Sequence, residues 1–249
     1  MTGAGIASLG AFAATIVGSV TKAVDMFSAA QQAETKLTVI MRQRMGATNQ
    51  MADSVRNLIA EQTKLGVVGG TAQKSGAQQL ATFLTSSEAL NTLIPAMNNL
   101  AVQQNGYNVT SEAMVGIGNM IGKVMGGQVA ALTRVGISLS DADAELLKTL
   151  PEQERAALLA KIITQNVGNM NEEFAKTPEG QKVQATMRLN AAWSEMGSRC
   201  ASAQYRFSAM FAQLKTDALN RFSVGIAVAF NVMVTAIGWA VDGFSWLIS

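Results

Sequence analysis

From Ile6 to Arg44 the apolar residues return at every third or fourth position: Ile16, Val20, Val24 and Phe27, then Leu37, Ile40 and Met41. That spacing belongs to a helix with one buried face, and it recurs in nearly every segment of the chain. No run alternates apolar and polar residues beside a hairpin turn, so no strand is predicted. Glycine, proline and capping residues cut the pattern into pieces. The expected fold is therefore all-α. It is an irregular bundle of short helices with long terminal helices, extended at both ends.

The pieces have readable limits. Gly46 suits the position just past the first helix. Thr48 caps a second, which carries Met51, Val55, Leu58 and Ile59 on one face and stops at Gly66. Gly66-Val67-Val68-Gly69-Gly70 reads as a loop. Helices are predicted over 72–84 and 87–104, the second kinked or split at Pro95. After the Asn105-Gly106 turn, Thr110 opens a helix predicted to reach Val135, with Gly136 as its end and Gly126-Gly127 as its weak point. Ser140 caps a short helix whose first turn holds Asp141 and Asp143. Pro151 fits position N1 of the next helix, and Gly168 closes it. Thr177-Pro178 opens the last helix, which runs through Trp193, Met196, Phe207, Phe211 and Leu214. The division expected is a long apolar to amphipathic helix over 1–46, a compact helical bundle over 47–176, a long helix over 177–221 and an apolar segment over 222–249.

Composition narrows the chemistry. The 249 residues are 49% hydrophobic and 14% charged, against about 25% charged in ordinary soluble domains. The apolar content is enough for a core, which excludes wholesale disorder. Histidine is absent, which removes Ser-His-Asp and Cys-His nucleophiles and histidine metal sites. Cys200 is the one cysteine, so neither an internal disulfide nor a Cys₄ zinc site can form. A net charge of +2 is too small for a dedicated nucleic-acid binder. No catalytic, cofactor-binding or metal-binding residue is expected, and the chain is read as a non-enzyme without cofactors. No Asp, Glu, Lys or Arg occurs from Met1 to Thr21 or from Phe222 to Val241. The second stretch has about the length a helix needs to cross a bilayer, with Trp239, Phe244 and Trp246 at the interface; a buried core helix and a contact with other copies are the competing readings.

Several patterns resemble known motifs and fail in detail. Gly116, Gly118 and Gly122 approach a dinucleotide fingerprint, but the last glycine is one position late and no strand precedes it. Lys74-Ser75 follows a glycine run, yet Val68 and Gln73 stand where a P-loop needs glycine. Asp141, Asp143, Glu145 and Glu152 fall at calcium-loop positions, but Leu146 replaces the required glycine and Pro151 intrudes. Glu172-Glu173, Glu152 and Glu154 read as solvated helix faces. Gly118, Gly122, Gly126 and Ala130 lie at four-residue steps and form a smooth helical ridge. Close packing within one chain is the favoured reading of that ridge, with oligomer or membrane packing as the alternative. Nothing marks Cys200 as activated. The 14 methionines suit adaptable apolar contacts.

Beyond these, an ordered series of pieces stands out. Gly122-Lys123-Val124 runs through Gly126-Gly127 to Ala131-Leu132-Thr133-Arg134-Val135-Gly136-Ile137. The capped acidic helix from Leu139 to Lys148 follows, then a helix ending in Ile162-Ile163. Ala175-Lys176-Thr177-Pro178-Glu179-Gly180-Gln181 and Asn190-Ala191-Ala192-Trp193-Ser194-Glu195-Met196-Gly197 complete the series. Upstream lie Gln78 to Leu84 and Leu93-Ile94-Pro95-Ala96-Met97. Together they resemble the conserved helical domain of phage tail tape measure proteins, over roughly 26–222. The resemblance implies a structural protein in the lumen of the tail tube, assembled in the host cytoplasm, acting in tail assembly and length control, and released ahead of DNA. The partners it implies are other copies of itself, tail tube and tail tip proteins, tail assembly chaperones and, on ejection, the host membrane. It implies no sequence-specific nucleic acid and no catalytic residue. The long uninterrupted coiled-coil ruler of many members is absent here. The alternative is a membrane-active, pore-forming or holin-like helical protein acting through Phe222–Val241.

Overall fold

The computed structural model describes the backbone of residues 3–213 and the side chains of residues 21–201. These residues form ten helices and no strand: α1 (Gly3–Met45), α2 (Asn49–Leu65), α3 (Gly70–Ala81), α4 (Ser87–Asn105), α5 (Ser111–Met125), α6 (Ala130–Thr133), α7 (Asp141–Thr149), α8 (Glu152–Val167), α9 (Met170–Ala175) and α10 (Pro178–Gln213). The fold is all-α, as the apolar spacing predicts. Two units are present. One is Ala29–Leu189, and the described part of the other falls in residues 3–28 and 190–213.

Local hydrogen bonds set the helix starts. The Thr48, Ser86, Thr110 and Ser140 side chains accept from the backbone N–H groups of Met51, Ala89, Ala113 and Asp143. Each satisfies a donor that the first helical turn leaves open. Thr177 does the same for Gly180, at 3.0 Å. Pro151 stands one position earlier than expected. Its backbone is extended (ψ 155°) and its carbonyl accepts from Arg155 N at 2.8 Å, which makes it the cap rather than the first helical residue.

The structure departs from the sequence reading at three helices. α4 runs unbroken through Pro95 instead of splitting there. α3 starts at Gly70 and ends at Ala81, because Thr82, Phe83 and Leu84 turn back on the carbonyls three residues earlier. The helix predicted from Thr110 to Val135 is two helices. Gly127 takes φ +91°, Gln128 N bonds to Lys123 O and Gly127 N to Val124 O. This is a Schellman stop, which a left-handed residue closes and glycine fills without strain. α9 is a separate six-residue helix; it contains Glu172-Glu173, which the sequence places on a helix face without indicating where that helix begins or ends.

In the larger unit α4 is the central element. Leu90, Leu93, Ile94, Met97 and Leu100 are fully buried along it, and α2, α3, α5, α8 and α9 all pack against it. α3 and α5 meet where neither has a side chain. A Cβ placed on Gly118 would lie 2.4 Å from the Gly76 carbonyl oxygen, and one on Gly122 would lie 2.2 Å from the Phe83 ring. The glycine ridge therefore serves packing within the chain at these two positions. Gly126 and Ala130 do not extend it, since α5 ends at Met125.

In the other unit α1 and α10 make a similar approach. A Cβ on Gly197 would stand 2.0 Å from the carbonyl oxygen of Ala23, and Ala23 and Ala201 are buried. Lys22 Nζ lies 5.9 Å from the centre of the Trp193 ring, within cation–π range.

The start of α4 carries a titratable contribution. The Glu88 carboxyl is held below the ordinary glutamate range, first by a backbone hydrogen bond at Glu88 and then by the Ser86 hydroxyl, 2.9 Å away. The folded value is depressed, so the stabilisation is complete above the ordinary value and is lost as pH falls through the folded one. Glu88→Gln should lower the melting temperature near neutral pH. The gap between the two proteins should close as the solution is acidified through that window, and a gap constant to the acid end of the titration would refute the assignment.

Candidate functional site

The carboxylates that the sequence places at calcium-loop spacing are dispersed by the fold. Asp143 accepts from the Ser140 hydroxyl within the first turn of α7, and Glu145 pairs with Lys148. Glu152, read as a solvated face, instead reaches across to the loop before α4. Its carboxylate accepts from Thr85 N at 2.9 Å, Thr85 Oγ1 at 2.7 Å and Ser86 N at 2.8 Å. One turn on, Arg155 donates to the carbonyls of Met125 and Leu150. α8 thus closes the open donors before one helix and the open acceptors after two others. Glu173 pairs with Lys176. Among the described residues no group of three His, Cys, Asp or Glu side chains could hold a metal ion.

Lys74 lies inside α3 and pairs with Glu34. Glu34 also accepts from Arg56, which contacts Asp53 and Thr38. This partly buried cluster ties α1 to α2 and α3. Cys200 is half-buried, and burial pushes its thiol up. A thiol shifted in that direction is less nucleophilic, because the thiolate is the reactive form.

Polar side chains do gather at one buried place. Gln73 and Asn98 are fully buried, Asn171 nearly so, and Asn99 is 7% exposed. Gln73 Nε2 donates to Val68 O at 2.8 Å and to Thr63 Oγ1 at 3.0 Å. Its Oε1 accepts from Asn98 Nδ2 at 2.9 Å. Asn171 Oδ1 accepts from Val67 N and Val68 N, at 2.9 and 3.2 Å, and Asn171 N donates to Asn99 Oδ1 at 3.0 Å. The fixed backbone partners orient both amides. Asn98 Oδ1 and Asn171 Nδ2 are left buried without a protein partner. Such a set holds a loop in place and contains no nucleophile or general base. The sequence reading missed it. The available signal was Asn98-Asn99, two amides inside the apolar run Leu93–Val102.

Two open clefts flank the larger unit. One, of about 690 Å³, lies between α2 and α4 and is lined by Gln50, Asp53, Ser54, Asn57, Glu61 and Asn91 among others. The other, of about 440 Å³, lies between α1, α3 and α5, with Lys36 and Glu112 on its wall. The first is lined by no lysine, arginine or cysteine, and the second carries the Ser75 and Ser111 hydroxyls beside Lys36 and Glu112. No described helix is long and apolar enough to cross a membrane. The transmembrane candidate Phe222–Val241 lies outside the described residues. No family model, no curated protein and no solved structure matches the chain.

Proposed function

We propose that this chain is a structural protein of a phage tail, of the tape measure type, and not an enzyme. The observation that supports this reading is where the resembling pieces fall. Gly122 to Ile137 covers the Schellman stop and α6, Leu139 to Lys148 covers capped α7, and Ala175 to Gln181 covers the junction of α9 with α10. Asn190 to Gly197 covers the close approach to Ala23. Each of these four pieces is a cap, a stop or a helix crossing and lines neither cleft; of the upstream pieces, Gln78 lies on the wall of the second cleft. A sequence pattern of that kind preserves a shape and carries no reaction. Helices without disulfides also suit a protein that must pass through a narrow tube. The proposed location is the lumen of the virion tail, with other copies, tail tube and tip proteins and assembly chaperones as partners, and the host membrane on ejection.

A membrane-active, holin-like protein is the second reading, favoured by the charge-free run Phe222–Val241. One experiment separates them. The gene is deleted in a lysogen, and particles are examined by electron microscopy while lysis is timed. A tail protein leaves tails absent or of altered length with lysis on schedule, and purified wild-type tails contain the chain by mass spectrometry. Normal tails with delayed lysis would overturn the tail reading in favour of the second.

A further inference from the structure

The segment from Met170 to Leu189, comprising α9 and the first part of α10, is attached to the larger unit unlike any other element. Its only buried residues are Asn171, Ala175 and Gly180: an amide, a methyl group and no side chain at all. None of the largest fully buried side chains comes from it. Every other helix of that unit buries a large aliphatic side chain to 1% exposure or less, among them Ile59, Leu80, Leu93, Ile121, Leu132, Leu147 and Leu159.

Its apolar attachment is limited to Ala175 and the partly buried Met170, Phe174 and Val183, and a polar seam supplies the rest. Asn171 grips the Val67 and Val68 N–H groups and is itself held by Asn99. Gln184 Nε2 donates to the carbonyls of Lys64 and Gly66, at 3.0 and 3.2 Å, beyond the end of α2. Tyr107 and Thr177 share a hydrogen bond of 2.7 Å, and the Tyr107 and Phe174 rings lie 4.9 Å apart. Water replaces each hydrogen bond in this seam when it opens, which offsets most of that bond's energy. Separating α3 from α5, or α4 from α5 and α8, exposes far more fully buried apolar surface, which water does not compensate. Within the seam Asn171 Nδ2 has no protein partner, so opening it sacrifices no hydrogen bond from that amide nitrogen.

We propose that residues 170–189 form a strap that leaves and re-docks as one unit while α2–α5 and α8 stay packed. Its release uncovers Val67 and Val68, which are otherwise 3% and 0% exposed, together with their N–H groups. The proposal does not depend on the tail function.

The test is native-state hydrogen exchange of the full chain, resolved by peptide mass spectrometry. Peptides from 170–189 and from 66–68 should exchange together, at least about tenfold faster than those of α4 and α5. Asn171→Ala removes the grip on the loop and should speed both segments by about a further tenfold, leaving α4 unchanged. Equal protection of the strap and α4 in the wild-type protein would overturn the proposal. So would an Asn171→Ala effect spread evenly over the whole unit. Should that variant not fold, the wild-type comparison decides alone.

Discussion

Gly118→Ala is expected to destabilise the protein by about 1–3 kcal/mol, the usual range for overpacking a close contact. The methyl group would arrive 2.4 Å from the Gly76 carbonyl oxygen and 3.3 Å from Leu80 N. Both are backbone atoms of α3 and cannot rotate away, so α3 and α5 must move apart. Two residues earlier, a Cβ on Gly116 would meet nothing within 4 Å. Gly116→Ala should therefore gain roughly 0.5–1 kcal/mol from helix propensity alone. Opposite shifts in thermal midpoint, of about 2–4 °C per kcal/mol for a chain of this size, are the signature. A Gly118→Ala protein as stable as Gly116→Ala would show that the helices are not in backbone contact. Gly122→Leu tests the next step of the same crossing, against the Phe83 ring.

A larger loss is expected for Leu93→Ala, about 2–5 kcal/mol by urea unfolding. Leu93 is fully buried at the middle of α4, on which five other helices pack. Packing matters more here than elsewhere because Pro95 has no N–H to offer the Asn91 carbonyl, so the helix lacks a hydrogen bond at this turn. Buried neighbours on both sides keep α4 continuous where local propensity would end it. Leu189→Ala, at a position 57% exposed, is the matching control and should change stability by under about 0.5 kcal/mol. A loss below about 1 kcal/mol for Leu93→Ala would mean that α4 is not the core.

The contrast at Pro95 shows which features a sequence carries openly. Thr48, Thr110, Ser140 and Thr177 were readable as caps because each bonds to an N–H group three residues away. Gly46, Gly106 and Gly168 were readable as stops for the same local reason, and all three take positive φ. Features that depend on distant partners were not. The role of Glu152 requires Thr85, and that of Asn171 requires Val67 and Asn99. Nothing around either residue names its partner. α9 is short and has too few apolar residues for a period to show. The ridge at Gly118 was visible, but only the position of Gly76 determines what it packs against.

The smaller unit is discontinuous along the chain, with α1 residues before Ser28 and α10 residues after Asn190. On a ribosome, Ala23 leaves the exit tunnel long before Gly197 is made. During vectorial synthesis the early strip of α1 therefore waits, its apolar face uncovered, while α2 to α5 have all the residues they need to pair. Synonymous codons that slow translation between Leu189 and Ala201 would lengthen this exposure without altering a single residue of the product.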